Sequence, residues 1–151
     1  MTGLTALVFI TYLATRVTVG SCPNPALVEN FNPESYLGIW YELRRDKEIV
    51  FETGECVTAQ YSLNDNGTVK VDNSQWFGYY DNSDAYERAI GGAQINSWRS
   101  GLLYVYFFAY LGGGYRILDT DYTSYSVVYS CDDHVTAGIS FMEASWVLVR
   151  D

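Results

Sequence analysis

Two residues near opposite ends of this chain could make a contact that shapes the whole protein. Trp40 sits in Gly38-Ile39-Trp40-Tyr41-Glu42, and Arg150 closes Trp146-Val147-Leu148-Val149-Arg150. A guanidinium can lie flat on an indole face, a contact worth about 0.5–2 kcal/mol depending on desolvation. In a closed antiparallel barrel the first and last strands are neighbours, so such a pair would seal the seam. A sealed barrel of this size can hold one small apolar molecule.

Catalytic chemistry has thin support. His134 is the only histidine, in Asp132-Asp133-His134, and no further ligands at metal-binding spacing accompany it, so a solvated loop is expected and no metal. No Gly-x-Ser-x-Gly nucleophile motif occurs. Gly112-Gly113-Gly114 lacks the Lys-Ser/Thr that a phosphate loop needs and reads as a flexible turn. The chain is therefore not expected to be an enzyme.

The elements that must position Trp40 and Arg150 are strands. Apolar and aromatic residues recur at period two in short runs broken by Gly, Asn and Asp. Eight runs result: 38–45, 56–63, 68–76, 86–95, 102–108, 115–120, 125–131 and 145–150. Their near-regular spacing predicts a sandwich or an up-and-down barrel. Asn64-Asp65-Asn66-Gly67 predicts a tight hairpin, with Asn-Gly supplying positive φ. Asn32-Pro33-Glu34-Ser35 predicts one short helical turn. The charged connection 46–55 predicts a flexible lid or rim loop.

Parity decides which residues share a face. Val57, Ala59 and Tyr61 lie together, as do Val69, Val71 and Asn73. Each apolar face ends in one hydrogen-bonding residue, which suits a small-molecule pocket or an ordinary core with a polar edge. The run 102–108 is apolar on both faces, with Leu102, Tyr104, Tyr106 and Phe108 opposite Leu103, Val105 and Phe107. Such a strand is covered on both sides, so something is expected to pack outside the barrel there.

Composition agrees with one domain of strands. Aromatic residues make up 17% of the 151 residues, and aromatics pack well on pleated surfaces. The net charge of −9 leaves no basic stripe for phosphate backbones, so nucleic acid is not an expected partner. Residues 4–13 form an apolar run of signal-peptide length, too short to span a bilayer, with small residues before Cys22. The reading is a signal peptide over 1–20 and a barrel domain over 21–151, secreted and not membrane-spanning. Three cysteines (Cys22, Cys56 and Cys131) fit an oxidising compartment and leave one unpaired. Asn66-Gly67-Thr68 is a glycosylation sequon in a turn.

The Gly-x-Trp-Tyr-Glu opening, Thr120-Asp121-Tyr122 and the terminal Arg150 together resemble the three signature regions of the lipocalin family, in order, over nearly all of 22–151. The segments Cys22-Pro23-Asn24-Pro25, Ala59-Gln60-Tyr61-Ser62-Leu63 and Tyr129-Ser130-Cys131 strengthen the match. The resemblance implies an all-β, eight-stranded antiparallel up-and-down calyx sealed at one end by Trp40 and Arg150. Gly38, Thr120, Asp121 and Tyr122 would complete that structural motif. It implies a ligand site at Tyr61, Asn73 and Trp146, with Phe108 in place of another aromatic. Tyr104 and Tyr106 share the Phe108 face, and Val71 and Ala59 share those of Asn73 and Tyr61, so all four are expected to line the site. The implied ligand is a small hydrophobic molecule: a bilin, fatty acid, retinoid, steroid or carotenoid, with no cofactor required. The alternative is a secreted protein-interaction role through rim loops 46–55 and 81–84, with a vestigial pocket. The resemblance also implies a Cys22–Cys131 disulfide. It assigns the partner of Cys56 to a C-terminal tail that follows a helix packed on the barrel, neither present in this sequence. Leu103, Val105 and Phe107 would then be a bare outer strip, through which a homodimer could form.

Overall fold

The computed structural model describes residues 22–47, 49, 51–80, 83–96, 100–108, 111–132 and 142–151. The expected signal peptide and His134 lie outside the described residues. A single helical turn, α1 (Pro33–Tyr36), precedes eight strands: β1 (Gly38–Arg45), β2 (Glu55–Leu63), β3 (Val69–Tyr80), β4 (Ser83–Ile95), β5 (Leu102–Phe107), β6 (Leu111–Thr120), β7 (Tyr125–Asp132) and β8 (Met142–Val149). Asn32 caps α1, its Oδ1 accepting from Ser35 N at 3.2 Å, and Pro33 supplies the fixed φ of the first turn.

Each strand pairs antiparallel with its sequence neighbour, and β1 pairs with β8, so the sheet closes on itself in the order β1 to β8. The closing register sets Tyr41 opposite Val149 and Arg45 opposite Trp146, with a bulge between Glu42 and Arg44. Closure removes the unpaired edges that an open sheet would expose. The β2–β3 connection is a tight turn, with Gly67 N donating to Asn64 O at 2.9 Å and Asn64 N to Thr68 O at 2.8 Å. Gly67 alone is left-handed there, at φ 79°. The expected pair of positive φ angles at Asn-Gly is thus replaced by a turn followed by one left-handed glycine.

Two expectations about the middle of the chain are corrected. Gly112, Gly113 and Gly114 are not a turn; they belong to β6 and pair with Tyr106, Val105 and Tyr104. A Cβ on Gly112 would lie 2.1 Å from the Val105 carbonyl oxygen and 2.7 Å from Tyr106 Cα, so the absence of side chains lets β6 approach β5 this closely. The faces of β5 are also the reverse of those expected. Val105 pairs with Ala93, which is buried, and Leu103 is itself buried, with Val105 and Phe107 packed against the core. Tyr104, Tyr106 and Phe108 therefore point outward; Tyr104 is 41% and Phe108 76% exposed. A strand apolar on both faces carries no parity signal, and the register with β4 decides. The strip expected to be bare outside is the strip that fills the barrel.

Cys22 and Cys131 form a disulfide that ties the N-terminal segment to β7. Cys56 is an exposed free thiol at the β2 bulge, with φ 51°. Among the described residues no helix is long and apolar enough to cross a membrane.

Candidate functional site in the barrel interior

The base of the barrel is built around Trp40, which has no solvent exposure. Its Nε1 donates to the Tyr36 carbonyl at 2.9 Å, and the Arg150 guanidinium lies 3.7 Å from its ring centroid. Arg150 spends its remaining donors on backbone: Nη1 on Ile39 O at 2.8 Å, Nη2 on Leu37 O at 2.9 Å and on the Ser35 and Tyr36 carbonyls, and Nε on Tyr122 O at 3.1 Å. Partial burial lowers its pKa, but a guanidinium stays charged. Asp121 Oδ1 accepts from the Thr123, Ser124 and Tyr125 amides at 2.7–3.0 Å. These bonds, Ser124 foremost, hold its carboxyl at about 2. Thr120 Oγ1 donates to Tyr125 O and accepts from Tyr122 N, which fixes the same loop.

Above Trp40 three phenols fill the cross-section. Tyr61 donates to Tyr115 Oη at 2.9 Å, and Tyr36 Oη lies 2.9 Å from Ser126 Oγ and 3.4 Å from Tyr115 Oη. Burial raises the pKa of all three, so they stay neutral hydrogen-bonding groups. The void left among Phe31, Tyr36, Tyr61, Val69 and Leu103 is about 10 Å³, no more than the space one water needs. This end is sealed.

The upper interior is different in character. Trp146 faces inward and packs against Tyr115 and Phe51, with ring centroids 6.5 Å away in each case. Its Nε1 donates to Glu52 Oε2 at 2.7 Å. Glu42 follows Trp40 on the inner face of β1; its Oε1 accepts from Arg45 Nη1 at 2.5 Å, and its side chain is 8% exposed. Arg45 Nη2 reaches the Gly54 carbonyl at 2.8 Å. Burial, and secondarily the neighbouring Glu42, push the Glu52 carboxyl above its usual range, while the indole bond acts against this. Gln75 accepts from Gly54 N and donates to Phe51 O and Glu87 Oε2. Two buried oxygens in this region have no protein partner, Glu42 Oε2 and Asn73 Oδ1.

The residues expected at the site thus divide three ways. Asn73 and Trp146 face the upper interior, with Ala59 beside them on the inner face. Tyr61 and Val71 face inward too, but in the sealed base, and the Tyr61 hydroxyl is taken by Tyr115. Tyr104, Tyr106 and Phe108 lie outside, where Phe107 is the inward aromatic. Glu42 and Tyr115 were legible by parity with Trp40 and Ile117 and were missed. Glu52 had no sequence signal, because it lies on the connection expected to be a flexible rim. That connection is partly turned in: Ile49 and Gly54 are buried, and Asp46 Oδ2 accepts from Ser145 N and Oγ at 2.7 Å. Of the second rim loop, residues 81 and 82 lie outside the described residues. A larger concavity of about 410 Å³ borders Pro25 to Asn30 and Ser100, and none of Trp146, Glu52, Glu42 and Asn73 lines it. The interior, where the orienting groups converge, is the better candidate.

A closed eight-stranded meander with one end plugged by an indole under a guanidinium has the architecture of a calyx. The chain belongs to the lipocalin family: residues 31–151 match the lipocalin-like domain. It is 34% identical to apolipoprotein D of Macaca fascicularis over 136 residues, covering 88% of this chain and 68% of that protein. It is 32% identical to the Lazarillo protein of Schistocerca americana, covering 96% and 67%. Among solved structures, insecticyanin from the tobacco hornworm Manduca sexta superposes with a TM-score of 0.70 at 23% identity, covering 86% of this chain and 69% of that one.

Proposed function

We propose that this chain is a secreted carrier that shields a small hydrophobic molecule inside its barrel. The observation that supports it best is the contrast within the interior. Below, every phenol is satisfied and packed; above, an aromatic and apolar wall surrounds two buried oxygens that no protein group satisfies. Few polar groups set in an apolar wall are what orient a small ligand, and a buried acceptor without a donor costs about 1–3 kcal/mol until one arrives. Apolar area on the ligand would supply most of the affinity, at about 25 cal/mol per Å² removed from water. Trp146, Asn73 and Ala59, with Tyr115 and Phe107, are the residues assigned to the ligand. Bilins, carotenoids, retinoids, steroids and fatty acids fit that description. No catalytic role is assigned, and Asn66, exposed in its turn, is the candidate glycan acceptor.

The test is titration of the purified protein with biliverdin, retinol and palmitate, read by tryptophan quenching and calorimetry. Saturable binding of at least one is expected, weakened in Trp146→Ala while circular dichroism shows an intact barrel. Absence of saturable binding for all three, or equal binding in Trp146→Ala, would remove the interior as the site.

A further inference from the structure

The charged groups of the upper interior say which kind of head group the barrel accepts. We propose that Glu42 and Glu52 form a cation-recognition subsite, so that the preferred ligand carries a protonated amine on a hydrophobic, ring-containing body. The inference rests on the carrier reading and names the ligand class for the same interior.

Among the described residues, three charged side chains meet where β1 and the 46–54 connection face Trp146. Two are acidic and one is basic, so with both carboxyls ionised the set carries one excess negative charge. Arg45 spends two of its five N–H groups, on Glu42 Oε1 and on the Gly54 carbonyl. Glu52 Oε2 takes the indole N–H, and Glu42 Oε2 is buried with no partner, on a side chain more than nine-tenths buried. The unmet demand is therefore for a donor with positive charge. An anionic head group would meet two carboxyls against one arginine that is already paired with Glu42. The rings of Trp146, Phe51 and Tyr115 stand beside the subsite, and a cation is attracted to aromatic faces as well as to carboxylates. In the empty barrel burial raises the Glu52 pKa, the Trp146 indole bond opposes this, and Glu42 adds to the rise. A bound ammonium would stabilise the ionised carboxylate against that burial.

Proton release gives the inference its sign. Among the described residues, the groups acting on Glu52 are Glu42 and Arg45 from β1 and Tyr61 from β2, with Tyr115 of β6 packed against the Trp146 ring and Glu87 of β4 bonded to Gln75. Burial keeps the phenols neutral, which leaves Glu52 as the group whose ionisation sets the sign. Amine affinity should rise with pH as Glu52 ionises and level off above that titration.

Phenylbutylamine, phenylbutanol and phenylbutyrate test this, because they share one hydrophobic body and differ in head-group charge. Calorimetry on the intact protein, with retinol competition to place the site, should find the amine bound at least about tenfold tighter than the alcohol and the carboxylate weakest. Glu52→Gln should lower amine affinity by about tenfold, change alcohol affinity much less, and flatten the pH dependence. Glu42→Gln, if it folds, should act in the same direction. Binding of the alcohol with no amine preference, or a preference for the carboxylate, overturns the subsite and leaves the carrier reading standing. Failure of all three, together with retinol, overturns both.

Discussion

Replacing Arg150 tests how the barrel is closed. In Arg150→Met the side chain keeps its apolar stem but loses the plane over Trp40 and every bond to the base carbonyls. The stacking contributes about 1 kcal/mol, inside the 0.5–2 kcal/mol range for a partly desolvated pair. The two shortest carbonyl bonds, to Ile39 at 2.8 Å and Leu37 at 2.9 Å, add about 1 kcal/mol each; the guanidinium is partly exposed, so water can replace some of what is lost. The longer contacts to Ser35, Tyr36 and Tyr122 are left out for the same reason. The expected loss is about 3 kcal/mol, which at a urea m value of about 2 kcal/mol/M moves the unfolding midpoint down by about 1.5 M. Arg150→Lys keeps the charge but loses the planar fork, and should lose about 2 kcal/mol. A double-mutant cycle with Trp40→Leu should return a coupling of about 1 kcal/mol. If Arg150→Lys is as stable as the parent, charge alone closes the base and the argument from stacking and forked donors is wrong.

Three other outcomes follow from particular contacts. Asp121→Ala should be less stable than the parent at neutral pH. Because the folded carboxyl is held down at about 2 against an unfolded value near ~3.9, the difference should shrink as pH falls through that window; a gap independent of pH would deny the role of the carboxylate. Replacing Cys22 and Cys131 by serine opens a loop of 109 residues, for which chain entropy gives up to about 5 kcal/mol; unchanged denaturant midpoints would show that the N-terminal segment is held without the bond. Gly112→Ala should cost about 3 kcal/mol or more, since its Cβ would enter the Val105 carbonyl, whereas Gly67→Ala, strained but with open space around it, should cost about 1–2 kcal/mol in the same thermal melts.

The architecture was legible because closure of a meander barrel needs only short alternating strands at regular spacing, and the chain writes those locally. Trp40 and Arg150 were legible for a related reason: the two ends of a barrel must meet, so residues in the first and last strands are neighbours whatever lies between. Ala59, Val71 and Asn73 share faces that alternate cleanly, and parity put them inside. Parity is silent for Leu102 to Phe108, where both faces are apolar; only the Ala93–Val105 pairing turned Phe107 in and Phe108 out. It is equally silent for Gly112 to Gly114, whose composition signals a turn when read alone and a close strand approach when β5 lies against it. Glu52 is the extreme case. Its place beside Trp146, 94 residues away in sequence, comes from a connection that folds back into the mouth, and no periodicity describes a connection. Local pattern therefore determined the barrel, its seam and part of its inner wall. Register and loop path, which are set by contacts between distant segments, decided the character of the site.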